Sequence, residues 1–280
     1  MNCKVTEIMA KSILQKSKLP ESDYCVNPYI GCAHQCIYCY ARFMGRFTGH
    51  AKEKWGEYID VRTNSAELMK KEIKKIGSPD DIIFLGSVTD VYQPIEIKYK
   101  LTRQILEILK DNDAYTVLQT KSNLILRDID ILKQFKRCEV GFTITSLDDN
   151  IRKMFEPYSS NVESRLESLK NLKLAGIKTY AFIGPIIPNI TNVDSILKRI
   201  SGIVDYVMGE SLNIRCGNWE DIKNLLIRNF PKIETDEYKK LINNGEYWAS
   251  VEKEYLTACK KYSIKSAGFF SHKRDKKVSN

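Results

Sequence analysis

Residues 27 to 42 read Asn27-Pro-Tyr-Ile-Gly-Cys-Ala-His-Gln-Cys-Ile-Tyr-Cys-Tyr-Ala-Arg42 and place Cys32, Cys36 and Cys39 within eight positions, just behind a glycine. Three thiols cannot all pair as disulfides, and cysteine is sparse in the rest of the 280 residues, so metal ligation is the first reading of this loop. A structural zinc site asks for four protein ligands, commonly in two close pairs. The loop offers three thiols with unequal gaps, and His34, lying between two of them, would have to fold back to become a fourth ligand. An iron–sulfur cluster normally takes four cysteines. A cubane held by three keeps one iron open.

Outward from the loop the chain alternates. Six apolar, β-rich runs at 26–30, 82–85, 115–119, 139–145, 178–183 and 206–214 are each trailed by a helical one. That order predicts an α/β fold, a parallel sheet with crossover helices. Ala66, Met69, Ile73 and Ile76 line one helix face, Leu101, Ile105, Ile108 and Leu109 another, and Leu166, Leu169 and Leu172 a third that stops at Ala175-Gly176. Residues 1–23 read as a polar lead-in with a short helix around 8–15, residues 24–216 as the core, and 217–280 as a helical C-terminal extension. Within that extension, helices are expected over 219–230, 237–243 and 246–262, a short strand over 266–270 and a loose tail from 272.

The start, Met1-Asn-Cys-Lys-Val-Thr-Glu7, has no hydrophobic signal region, and no run of about 18 apolar residues occurs, so neither secretion nor a membrane span is expected. A cytoplasmic, reducing compartment suits free thiols. The net charge of +9 favours polyanions. Lysines spread along helices, as in Lys70-Lys71-Glu72-Ile73-Lys74-Lys75, read more simply as solvated faces.

The Cys-x3-Cys-x2-Cys spacing, with Tyr38 just before the last cysteine, resembles the radical S-adenosylmethionine superfamily. The resemblance implies a partial (β/α)6, TIM-like barrel and a 4Fe–4S cluster on Cys32, Cys36 and Cys39. It also implies S-adenosyl-L-methionine chelated to the open iron, an external one-electron donor of the flavodoxin or ferredoxin type, and a 5′-deoxyadenosyl radical as product of reductive cleavage. Chemistry in parallel β/α architectures gathers at the carboxyl ends of strands, and there Gly86-Ser-Val-Thr-Asp-Val-Tyr-Gln-Pro-Ile-Glu96, Gln119-Thr-Lys-Ser-Asn-Leu-Ile-Leu-Arg-Asp128 and Phe182-Ile-Gly-Pro-Ile-Ile-Pro-Asn189 are similar to the branch related to spore photoproduct lyase, the DNA repair photolyase-like proteins.

Lys121 is a strand-end cation able to pair with the methionine carboxylate; Thr89 and Thr143 offer hydroxyls. The branch has a Ser, a Lys and a Ser at the matching positions, which implies cofactor binding by Thr89, Lys121 and Thr143. Gly184, an Ala in the lyase, leaves room for close backbone approach to the adenine. Tyr38 is expected to flank the adenine and Tyr40 to point to the opposite side of the loop; in the lyase both tyrosines are tied to hydrogen-atom relay. Asp90, in a polar group with Tyr92, Gln93 and Glu96, is the candidate for a cofactor or substrate contact.

Ser87 stands where the lyase has a hydrogen-donor cysteine, and an alcohol O–H is too strong a bond to replace a thiol in that role. Cys216 is the best spare thiol; Cys25 lies near the loop, while Cys3, Cys138 and Cys259 read as small hydrophobes or surface thiols. Arg127 and Asp128 are expected to cap a helix, and Glu156 to line the mouth with Pro157 and Tyr158. The substrate class implied is DNA or a nucleotide. A zinc or iron–sulfur module that binds nucleic acid without catalysis is the alternative, and an activase placing a radical on a partner's glycine is a third reading.

Overall fold

The apolar runs become strands in the computed structural model, which describes residues 3–272. In chain order they are β1 (Lys4–Ile8), β2 (Leu14–Lys16), β3 (Tyr24–Val26), β4 (Tyr29–Ile30), β5 (Tyr58–Arg62), β6 (Ile82–Leu85), β7 (Tyr115–Thr120), β8 (Cys138–Thr143), β9 (Lys178–Ile186), β10 (Tyr206–Ser211) and β11 (Lys265–Phe270). The larger sheet runs β11-β10-β9-β8-β7-β6-β3-β2, and every pair from β3 to β11 is parallel, with β2 antiparallel at the edge. The smaller sheet is β1-β5-β4.

Helices α1 (Ser65–Glu72), α2 (Glu96–Tyr99), α3 (Leu101–Asp111), α4 (Ile129–Leu132), α5 (Asp149–Phe155), α6 (Val162–Leu174) and α7 (Val193–Ile200) return the chain between strands. Four helix starts are fixed by an Asn or Asp whose side-chain oxygen accepts first-turn N–H groups: Asp148, Asn161, Asn192 and, further on, Asn244. Each such cap stabilises by about 1 kcal/mol. The α6 stripe Leu166, Leu169 and Leu172 is buried against β8 and β9 as the periodicity predicts. Full burial of a leucine there is worth about 2 kcal/mol. Past β10 the chain forms α8 (Trp219–Asn229), α9 (Thr235–Ile242) and α10 (Gly245–Lys261), whose Trp219, Leu226, Tyr238 and Tyr255 join the same hydrophobic core as the sheet. None of the described helices is long and apolar enough to cross a membrane.

The structure corrects two expectations. The helix expected around residues 8–15 is absent, because the backbone there bonds outward: Ala10 exchanges hydrogen bonds with the Asn64 side chain, and the Ile13 and Leu14 N–H groups donate to Glu72 at 2.8 Å each. The run at 26–30 is two strands. Asn27 turns its side chain to the Val88 N–H and Ser87 hydroxyl, Pro28 has no N–H to give a ladder, and β4 leaves for the smaller sheet. The tail, expected to be loose from residue 272, lies outside the described residues beyond that position.

Glu72 carries the edge. Burial alone would raise its carboxyl pKa, but the N–H groups of Leu14 and Ile13, Lys75 and the Ser12 hydroxyl hold it at about 2. Its stabilisation is therefore fully present above the ordinary carboxylate value and is lost as pH falls towards 2. Glu72→Ala is expected to lower stability by about 2 kcal/mol near neutrality, with the gap between variant and parent shrinking in acid; urea unfolding from pH 7 downward reads this, and a gap independent of pH would contradict it.

Candidate metal centre

The segment from Gly31 to Cys39 belongs to no helix or strand, so its backbone groups must find partners elsewhere. The Gly31 carbonyl accepts Thr89 Oγ1 and Gln93 Nε2, and the Ala33 N–H donates to Gln93 Oε1 at 2.8 Å. Ile37 donates to the Phe155 carbonyl at 2.9 Å and accepts Arg42 Nη2 at 2.8 Å. The Tyr38 carbonyl accepts Asn218 Nδ2 at 2.8 Å. Gly31 itself has φ +82°, and a Cβ there would stand 2.3 Å from the Tyr58 carbonyl oxygen, so no other residue fits the turn into Cys32.

Cys32, Cys36 and Cys39 all face one cavity of about 820 Å³. The first two are buried and Cys39 is half-buried. Burial pushes the Cys39 thiol up to about 12 and the Cys36 thiol well above its usual range, so ligation must displace their protons. Among the described residues no three Cys, His, Asp or Glu side chains are gathered closely enough to hold a single metal ion.

The cavity is walled by the inner faces of β6 to β11, through Phe84, Val117, Tyr180, Phe182, Met208 and Phe269. Its rim at the strand ends holds Tyr38, Tyr40, Ser87, Thr89, Asp90, Lys121, Thr143 and Gly184. The cofactor-site candidates Tyr38, Tyr40, Thr89, Asp90, Lys121, Thr143 and Gly184 thus line the same cavity as the three cysteines. Their engagements differ.

Lys121 opens on the cavity with its Nζ 5.8 Å from the centre of the Tyr38 ring, and among the described residues it makes no ion pair. Burial disfavours its charge, yet Cys36, Glu156 and Asp90 around it keep its pKa above the ordinary lysine value. Thr143 accepts Gln119 Nε2 at 3.4 Å and keeps its own hydroxyl proton to give. Thr89 spends its proton on Gly31.

Asp90 is fully engaged: Oδ1 accepts the Thr120 hydroxyl at 2.8 Å and the Tyr92 N–H at 2.9 Å, while Oδ2 accepts the Lys121 N–H at 2.8 Å and faces His34 Nδ1 at 3.3 Å. Burial opposes its charge, but His34 and the Lys121 N–H hold its carboxyl well below the usual range. His34 turns to this carboxylate; burial works against its charge, and Asp90 nonetheless raises it to about 9. Over Gly184 the room read for an adenine holds the Phe182 ring, 2.1 Å from where a Cβ would stand. The Tyr40 phenol donates to the Ser87 carbonyl.

The sequence places Glu156 at the mouth with Pro157 and Tyr158, but none of the three lines the cavity, and Glu156 lies buried beneath the cysteine loop instead. It is inaccessible to solvent and accepts the Tyr38 phenol, the Thr145 hydroxyl, the Ser159 hydroxyl and the Arg165 guanidinium. Burial opposes its ionisation, yet Arg165, Lys121 and Tyr38 hold its pKa at about 2. Arg165 was not singled out; an arginine at i+3 from Val162, inside the buried stripe of α6, was the available signal. It also donates to the Thr143 carbonyl at 2.9 Å. Arg165 is the ion-pair partner of Glu156, which leaves Lys121 nearby without one among the described residues. Asn218, fully buried at the start of α8, had no signal at all.

Other expectations move away from the cavity. Glu96 turns outward to Tyr29 and Arg127, and Tyr92 is buried behind the rim. Arg127 and Asp128 make no helix cap; with Glu96 and Arg103 they form an ion network, Arg103 Nη1 lying 2.9 Å from Asp128. Cys216 is half-buried and off the cavity wall.

Residues 26–199 match the family model of the radical SAM superfamily. An uncharacterized protein of Methanocaldococcus jannaschii is 38% identical over 275 residues, 97% of this chain and 100% of that protein. A spore photoproduct lyase of Clostridium acetobutylicum is 22% identical over 169 residues, 60% of this chain and 47% of the other. Among solved structures, spore photoproduct lyase complexed with dinucleoside spore photoproduct shares the fold with a TM-score of 0.70 at 15% identity, over 95% of this chain and 82% of that one. By the cysteine loop, the sheet order and these matches, the chain belongs to the radical S-adenosylmethionine superfamily, as an enzyme of that class related to spore photoproduct lyase.

Proposed function

We propose that this enzyme holds a 4Fe–4S cluster on Cys32, Cys36 and Cys39, seats S-adenosylmethionine on the fourth iron, and opens a C–H bond of a substrate at the cavity mouth. The observation that carries the reading is Lys121, an ammonium beside the cysteine loop that has no carboxylate partner among the described residues. The donor set fits the group. A single zinc ion needs its ligands gathered around one point, whereas a cubane asks each thiolate to reach a different iron. Bound together, cluster and sulfonium would supply a 5′-deoxyadenosyl radical that abstracts hydrogen.

The chain's own residues would do the seating. Lys121 pairs with the methionine carboxylate, the free Thr143 hydroxyl proton bonds to the same group or to the ribose, and the Tyr38 and Phe182 rings wall the adenine. Thr89 and Asp90 act on the loop and strand ends they brace. We read the sheet as a partial (β/α)6 barrel extended by β11, with residues 217 onward as its helical extension. The setting is a reducing cytoplasm, and the electron comes from a carrier of the flavodoxin or ferredoxin type.

For the substrate, the relative whose structure contains a dinucleoside spore photoproduct makes a nucleic-acid lesion the first candidate. Ser87 limits that analogy. Its hydroxyl accepts Asn27 Nδ2 at 3.0 Å on the cavity wall, where a thiol would be needed to return a hydrogen atom.

Anaerobic reconstitution with iron and sulfide is expected to give a brown protein that forms 5′-deoxyadenosine from S-adenosylmethionine and dithionite, and Cys36→Ala to lose both colour and product. Cleavage retained by that variant would reject the ligand set. Lys121→Met is expected to keep the cluster absorbance and weaken S-adenosylmethionine binding by about 10- to 100-fold, the worth of one charge-assisted bond; unchanged affinity in equilibrium dialysis would remove Lys121 from the site. Glu156→Gln, which strands the buried Arg165 charge, should lower stability by about 3 kcal/mol and reduce iron retained per chain, as read by denaturant unfolding and metal analysis, and parental values for both would contradict its role.

A further inference from the structure

Trp55 lines the cavity of the three cysteines but belongs to none of the groups that seat the sulfonium. The residue is half-buried, yet its indole Nε1 is closed to solvent and has no hydrogen-bond partner among the described residues. An indole nitrogen is a donor only. Leaving such a donor unpaired is costly, so a buried N–H on the wall of a ligand cavity calls for an acceptor that arrives with the ligand.

Two contacts hold the indole in place. Its neighbour Gly56 has φ +90°, and a Cβ there would stand 2.1 Å from Gln35 Cγ, so glycine alone lets the two segments meet. Gln35, which lies between Cys32 and Cys36 and is itself at φ +53°, donates Nε2 to the Gly56 carbonyl at 2.7 Å. The indole also meets the Tyr58 ring edge to face at 6.3 Å. Tyr58 is stacked on His50 at 3.8 Å, and His50 is fixed by Asp60 at 2.8 Å and by Glu53 at 2.9 Å. Strand β5, which begins at Tyr58, pairs with β4, the strand that feeds the cysteine loop. Trp55 is thus tied to the segment that carries the cysteines rather than to the larger sheet.

That attachment selects the acceptor. Lys121 and Thr143, assigned to the methionine carboxylate, come from the ends of β7 and β8 in the larger sheet. Trp55 packs on Tyr58, whose phenol pKa is raised by burial and then by Glu53, Asp60 and Cys39. The acceptors that this side of the loop brings are sulfurs.

We infer that the Trp55 indole N–H donates to a sulfur of the cluster and eases its reduction. The inference rests on the cluster reading above. The cluster gains negative charge when it takes an electron, so a donor aimed at its sulfur binds the reduced state more strongly. No proton is transferred and no bond of the chain breaks.

The test uses the reconstituted full chain and its Trp55→Phe variant without S-adenosylmethionine, and reads the cluster rather than turnover. The variant should keep the parent's iron and sulfide content and be about tenfold harder to reduce, a midpoint potential lower by about 59 mV. In parent chain labelled with nitrogen-15 at the tryptophan indoles, the reduced cluster should show an indole nitrogen coupling in electron–nuclear double resonance, absent from Trp55→Phe. An unchanged potential with full cluster content overturns the inference, as does a parent without that coupling. Should the variant fail to hold a cluster, the parent's coupling alone decides. Effects that appear only after S-adenosylmethionine is added overturn it too, since the donor then serves that ligand. A parent that binds no iron and sulfide overturns the cluster reading and this inference with it.

Discussion

A carboxylate without access to water sits under the cysteine loop, and the geometry of the rim depends on it. Glu156 takes the phenol of Tyr38 from the loop, hydroxyls from Thr145 and Ser159, and the guanidinium of Arg165, which in turn holds the Thr143 carbonyl. A buried ion pair contributes little net stability over apolar residues of the same shape, but removing one partner leaves the other charge stranded. The pair is therefore better understood as a device for position. It fixes the loop against the ends of β7 and β8, from which Lys121 and Thr143 reach the cavity. Asn218 and Arg42 fix the same loop from the side of α8.

Charge balance connects this frame to chemistry. Glu156 is paired with Arg165, and Asp90 is already committed to His34 and three hydrogen bonds. Lys121 is left beside the cysteines with no ion-pair partner among the described residues. A ligand bearing a carboxylate meets that need without displacing any existing bond, and the aromatic walls below it suit a flat apolar body.

The fold was largely legible because its signals are local. Strand and helix runs alternate with their own periods, and three cysteines at fixed spacing point to the superfamily whose model residues 26–199 match. What escaped was assembled from distant segments. Arg165 reads as an ordinary helical arginine until α6 is seen packed on β8, and Asn218 lies 180 residues from the carbonyl it holds. The early segment was misread because Glu72 and Asn64, far along the chain, supply the hydrogen bonds that a helix would have supplied locally. Gly184 was read as space for a ligand when its absent side chain already serves Phe182, two residues earlier on the same strand face. In each case the deciding partner is one that spacing alone does not reveal.

The central claim is that three thiolates leave one metal corner vacant, beside an ammonium placed to hold a carboxylate. Mössbauer spectra of chain reconstituted with iron-57, taken before and after adding S-adenosylmethionine, test this directly. One iron of the four should be distinct, and its isomer shift alone should move when the sulfonium binds. Four equivalent irons that do not respond would contradict the claim.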